Sequence, residues 1–145
     1  MLDQFLIGGA FSICNIAIHA LVMTAVVRVA RSMAAKNVSR PSLMLIGVMI
    51  ATVTVLMVAH TVEVIVWSLA YLIVDAVPAG AGRVYFAFVN YTTLGYGDVI
   101  PAEDWKILGP MTAMNGVLLF GWSTAVIFEV LRRSMTRLSH IDASG

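Results

Sequence analysis

Residues 92–98 read Thr92-Thr93-Leu94-Gly95-Tyr96-Gly97-Asp98. Two glycines alternate with two bulky residues inside a chain that is otherwise mostly apolar. Four successive carbonyls of an extended strand can face one side only if alternate residues take dihedrals closed to ordinary L-residues. Glycine reaches those dihedrals at little steric cost, and it stands at 95 and 97. The pattern therefore suits a strand that lines a narrow tube with backbone oxygens.

The surroundings of this strand are those of a membrane protein. The chain has 145 residues, 60% hydrophobic and 12% charged, with a mean hydropathy of +0.92. A soluble domain carries about 25% charged residues. The formal net charge of +1 argues against a broad nucleic-acid surface. The single cysteine, Cys14, excludes an intrachain disulfide and any cysteine-based zinc site; in its apolar run it is expected to be a small packing residue. Three apolar runs, Phe5–Val27, Leu43–Val74 and Ile107–Ile127, each reach the roughly 20 residues that span hydrocarbon. The first opens with Asp3 and is too long for a signal peptide, so it reads as a retained helix.

Lysine and arginine set an orientation. Arg28, Arg31, Lys36 and Arg40 follow the first run, and Arg132, Arg133 and Arg137 follow the third. The positive-inside rule puts both groups in the cytoplasm and the N-terminus outside, with residues 92–98 on the outer side. Arg28 and Arg31 sit at one end of their span, as snorkelling anchors do, whereas a voltage sensor repeats arginine through the span. Gly82 to Thr93 is too short to cross and reads as a helix reaching about half of the bilayer core. Its dipole would put partial negative charge at the membrane centre, below the strand.

With TTLGYGD behind a short helix and between two spans, the chain resembles the potassium-channel superfamily, with Leu94 where valine is commoner. The resemblance covers about Glu63 to Phe128. It implies an all-α membrane protein: three transmembrane helices plus a re-entrant pore helix and selectivity filter, assembling as a homotetramer in the lipid bilayer. Residues 1–40 would be an extra N-terminal helix and basic loop, and 41–138 the pore domain. Within that domain come an outer helix 42–75, a turret 76–81, a pore helix 82–93, a filter 93–98 and an inner helix 103–135; a short cytoplasmic tail, 139–145, would follow it. Stacked K+ sites would form from the carbonyls of Thr93, Leu94, Gly95 and Tyr96, with the Thr93 hydroxyl at the inner end and Gly97 completing the strand. Thr92, Asp98, Tyr85, Phe86, Asn90 and Glu63 would support the filter, with Tyr85 and Phe86 bracing Tyr96 and Asp98 anchoring the outer end. In the inner helix, Pro101, Glu103 and Asp104 suit a first turn, and Trp105 suits the outer interface. Gly116 is open to a hinge or a packing role, whereas Gly121 reads as a packing residue. Thr124 would face the cavity, and Ile127, Phe128 and Leu131 a cytoplasmic constriction able to gate by dewetting.

Ionisable groups at membrane depth are costly and default to functional candidates. His60 and Glu63 share one helix face, near the level of the filter. Three roles are open to Glu63: bonding the pore helix through Asn90 or Tyr91, meeting interfacial water beside Trp67, or binding a metal with His60. The third lacks a third ligand in sequence. His19 reads as a neutral, bundle-packed imidazole with no partner in sequence.

The reading is a non-enzymatic, potassium-selective channel subunit of a bacterial inner membrane, with K+ as permeant ion and no organic cofactor, nucleic acid or small-molecule substrate. A non-selective cation channel and a non-conducting regulatory subunit remain alternatives. Only Ser134 to Gly145 follow Arg133, so no cytoplasmic ligand-binding domain is expected there.

Overall fold

Elements. In the computed structural model the described residues are 1–34, 40–78 and 81–142. They form four α-helices and one short 3₁₀ turn: α1 (Leu2–Ala34), α2 (Pro41–Ile73), α3 (Arg83–Tyr91), the turn Glu103–Trp105, and α4 (Leu108–Asp142). Among the described residues there is no strand. Three helices, over Leu2–Met33, Ser42–Ile73 and Glu103–Thr136, are long and apolar enough to cross a membrane. This is an all-α membrane protein. At 1.5 Å per residue a helix of 33 residues is about 50 Å long, well beyond the roughly 30 Å hydrocarbon core, so tilt or projection is expected. Lys36 of the basic loop and Ala79 and Gly80 of the turret lie outside the described residues.

Local chemistry sets the boundaries. Asp3 in the first turn of α1 and Arg31 in its last both complement the helix dipole. Pro41 opens α2, where its missing N–H costs nothing. That helix closes as Asp75 turns left-handed at φ +50° and the Ala76 amide reaches back to the Tyr71 carbonyl at 3.0 Å. The six-to-one bond is the usual device for satisfying carbonyls at a helix end. The pore-helix segment is shorter than the 82–93 expected, because Thr93 is itself left-handed and ends the ladder.

The last helix also departs from expectation at both ends. Its α-ladder starts at Leu108, not at 103, and Glu103 and Asp104 occupy the preceding 3₁₀ turn. Pro110 explains the late start: it has no N–H to give, and it falls in the first turn, where no donor is needed. The helix then continues to Asp142, past the expected end at 135 and into the expected tail.

The start of α1 lies beside the start of α4. Gln4 accepts the Ile107 amide at 3.0 Å, and a side chain at Gly8 would meet Met111 Sδ at 2.6 Å. The other end of α1 packs Met23 and Val26 against Val48, Leu56, Val126 and Val130. So α1 and α4 run parallel, α2 antiparallel to both, and α3 is wedged between α2 and α4. Two apolar clusters result. One gathers Trp67, Tyr71, Phe86, Tyr91, Leu108 and Met111 at the filter end; the second lies at the far end of α1 and α4. Polar side chains occupy the layer between them. Cys14 is exposed rather than packed inside, because the inward face of α1 carries Asn15 and His19 instead.

Candidate functional site: a filter-like strand and its buried support

The non-helical segment after α3 alternates in backbone handedness. Thr93, Gly95 and Gly97 have φ of +60°, +56° and +76°, with ordinary residues between them. Thr93 joins the two glycines in that series, and a left-handed threonine is strained by about 1–2 kcal/mol. The end of α3 holds it there. Thr92 donates to Phe88 O at 2.9 Å, Thr93 to Asn90 O at 2.9 Å, and Leu94 and Gly95 both to Val89 O at 2.9 and 3.2 Å. Four amides are thereby consumed by the carbonyls that close the helix. The carbonyls of Thr93, Leu94, Gly95 and Tyr96 accept no hydrogen bond among the described residues. Residues 92–98 are exposed in the single chain. A row of free carbonyl oxygens on an ordered strand is a ready cation-coordinating surface.

The outer end of the strand is tied by Tyr85, whose hydroxyl donates to Asp98 at 2.8 Å. That carboxylate acceptor raises the Tyr85 phenol above its ordinary range. Beyond it the Ala102 amide donates to Ala76 O at 2.9 Å, pinning the returning chain to the turret. Phe86 does not reach Tyr96. It is buried edge-on against Tyr71, with ring centroids 4.9 Å apart, while the Tyr96 ring is 66% exposed. Thr92 caps its own helix at Phe88 O, 2.7 Å away. Asn90 bonds the Phe86 carbonyl at 2.8 Å and takes no part in holding Glu63.

Glu63 is wholly buried. The role in which it meets interfacial water beside Trp67 is therefore overturned; Trp67 is equally buried and donates to Asn115 Oδ1 at 3.0 Å. Three side chains surround the carboxylate instead. His19 Nδ1 lies 2.8 Å from Oε1, His60 Nδ1 lies 2.9 Å from Oε2, and the Tyr91 hydroxyl donates to Oε2. Behind the imidazoles, Ser123 Oγ stands 2.9 Å from His60 Nε2 and 3.4 Å from His19 Nε2. Asn15 adds a bond to the Glu63 carbonyl at 3.1 Å and one to Asn115 at 3.2 Å. One acid thus joins α1, α2 and α3, and its histidine partners reach α4 through Ser123; Tyr91 is the last residue of α3.

His19 has a partner that its sequence neighbourhood does not reveal. Asn15, Asn115 and Ser123 went unnoticed in the sequence altogether. A signal existed for α1, since Ser12, Asn15 and His19 recur at intervals of three and four within an apolar run. For Ser123, one small hydroxyl in a helix offers no such signal.

On α4, Gly116 is where the helix crosses the end of α3, since a Cβ there would overlap the Tyr91 carbonyl oxygen. Gly121 meets nothing within 4 Å in this chain, so the packing expected of it is not with the other elements described here. Thr124 and Phe128 are exposed, Ile127 and Leu131 half-buried. Thr124 bonds its own helix at Phe120 O, 3.0 Å away.

Residues 59–133, half of the chain, match a family model described as ion channel. A curated relative, the potassium voltage-gated channel protein shk-1 of Caenorhabditis elegans, is 35% identical over 65 residues, covering 42% of this chain and 12% of its own length. The chain thus spans a small fraction of that relative. No solved structure gives a significant match.

Proposed function

This chain belongs to the ion channel family, and from that premise we propose that it is the subunit of a potassium-selective channel. Four copies surround one axis, each contributing the strand Thr93–Gly97, and K+ passes down its electrochemical gradient. The observation that carries the reading is the left-handed series at Thr93, Gly95 and Gly97 together with free carbonyls at 93–96. Rings of carbonyl oxygen replace the water shell of a bare cation, and the Thr93 hydroxyl completes the innermost site. The similarity to a protein named as a potassium channel supports K+ over other cations. Leu94 stands where valine is commoner, but its side chain does not enter the coordination.

The inner helix α4 lines the path below the filter, with Thr124 at the cavity and Ile127, Phe128 and Leu131 at the constriction. Gly116 is held against α3 as a packing position. The filter faces outward with the N-terminus, and the arginines Arg28, Arg31, Arg132 and Arg133 lie on the cytoplasmic side. Thallium flux into liposomes holding purified protein tests conduction, with barium block expected. Reversal potentials in a planar bilayer, K+ and Rb+ against Na+, test selectivity. Absence of flux in correctly folded protein sinks the channel reading, and equal Na+ and K+ permeation sinks its selective form.

A further inference from the structure

Support of the filter accounts for the bond between Glu63 and Tyr91. It does not account for two imidazoles on the same carboxylate, one of them delivered by α1, a helix outside the matched channel segment. His19 Nδ1 and His60 Nδ1 each face one Glu63 oxygen, at 2.8 and 2.9 Å. One ligand atom from each of His19, His60 and Glu63 lies within 4.8 Å of the others. The Tyr91 hydroxyl joins the same spot, 2.9 Å from His60 Nδ1. No lysine or arginine among the described residues pairs with this carboxylate. Both rings present their opposite nitrogens to one oxygen, Ser123 Oγ.

Counting protons separates the possibilities. With no cation present, the carboxylate accepts Nδ1–H from each neutral ring, and both Nε2 atoms are then bare acceptors. Ser123 has one proton and can satisfy one of them, so the other nitrogen needs either an added proton that makes its ring an imidazolium beside Glu63, or a cation that releases both Nδ1 atoms from donating. With a cation at the Nδ1 atoms, both rings carry their protons on Nε2, and the two lone pairs of Ser123 Oγ accept both. Metal-bound histidines typically donate their second nitrogen in this way. We propose that His19, His60 and Glu63 bind one divalent transition-metal ion of the zinc class, with the Tyr91 oxygen at the fourth position and Ser123 holding both imidazoles in the ligating tautomer.

Two imidazole nitrogens and a carboxylate are borderline donors that suit zinc over calcium or magnesium. Around a tetrahedral ion with bonds near 2.0–2.1 Å, ligand atoms sit about 3.3 Å apart, so the contacts of 2.8 and 2.9 Å to the two Glu63 oxygens would open while a set now lying within 4.8 Å settles to that spacing. The carboxylate offsets half of the ion's charge. The ion would fasten α1 and α2 to the last residue of α3 and thus to the root of the filter strand.

The test uses the untagged full chain in a His140→Ala background, so that His19 and His60 are its only histidines. Protein loaded with zinc and desalted is assayed for metal content, and cobalt-loaded protein is examined for the visible bands of tetrahedral Co2+. One ion per chain and a tetrahedral cobalt spectrum are expected, with both lost in His19→Gln. Ser123→Ala should keep the ion but weaken its affinity about 10- to 100-fold. If His19→Gln does not fold, the wild-type cobalt spectrum and the Ser123→Ala shift carry the test. Folded wild-type protein that binds no stoichiometric metal overturns the proposal. So does binding that survives His19→Gln undiminished, or an affinity that Ser123→Ala leaves unchanged.

Discussion

At the scale of the residue, Gly97 and Tyr91 make different demands. Gly97 has φ +76° and nothing within 4 Å of the place a Cβ would take. Gly97→Ala therefore meets no clash inside the chain, and its penalty is the left-handed dihedral itself, about 1–2 kcal/mol. A folded domain has about 5–15 kcal/mol in hand, so the variant should still fold. The strand, however, relieves that strain by turning the peptide, which removes a carbonyl from its row. The expected outcome is loss of potassium-selective current at nearly normal yield of folded protein, read as reversal potential in a planar bilayer. An unchanged reversal potential would mean that handedness at 97 does not set the coordination. Tyr91→Phe is the converse case, affecting stability first. It deletes a donor to a fully buried carboxylate, which leaves the acceptor short by one bond at about 1–3 kcal/mol. A lowered unfolding midpoint in detergent should accompany it, and a midpoint equal to wild type would show that water or His60 replaces the hydroxyl.

At the scale of the element, α4 carries three glycines, and the packing separates Gly116 from Gly121. A methyl at Gly116 would strike the Tyr91 carbonyl, a backbone atom that cannot swing aside. Overpacking of this kind costs about 1–3 kcal/mol or more, and here it would also push the root of the filter. Gly121 has open space on its own chain, and replacing a mid-helix glycine by alanine favours the helix by up to about 1 kcal/mol. Denaturation in mixed micelles should thus show Gly116→Ala destabilised and Gly121→Ala neutral or stabilised. A destabilised Gly121→Ala would place a neighbouring copy against that position. The contrast marks what was legible beforehand. Apolar runs and alternating glycines are local signals, and they located three long helices and the left-handed segment, whereas Pro101 and the acids after it do not mark the start of α4. The helix phase that turns His19 towards Glu63, 44 positions away, and Ser123 towards His19, 104 positions away, is not written in either neighbourhood. Nor does the sequence reveal that Phe86 packs edge-on against Tyr71 of its own chain, 15 positions away.

At the scale of the whole molecule, a single chain leaves its working surface bare. Residues 92–98 are exposed, and on α4 Met114, Val117, Leu118, Gly121, Thr124 and Phe128 form one uncovered face at intervals of three and four. Val126 and Val130, on the opposite side, are buried against α1 and α2. An apolar face with a threonine in its middle suits either lipid or a shared axis, and the two differ in water. Around a conducting axis Thr124 borders an aqueous cavity; against lipid it does not. With Cys14→Ser removing the native thiol, Thr124→Cys should react with a charged, membrane-impermeant thiol reagent applied from the C-terminal side, and current should stop. Val126→Cys, at 8% exposure, should react slowly and leave current intact. Native mass measurement should give about four times the 15.6 kDa chain for the same preparations. The side of application tests the proposed orientation as well, in which the arginines after α1 and at the end of α4 would put that end in the cytoplasm. A thiol at 124 that stays inert from both sides would turn this face of α4 towards lipid, and the axis would have to lie elsewhere.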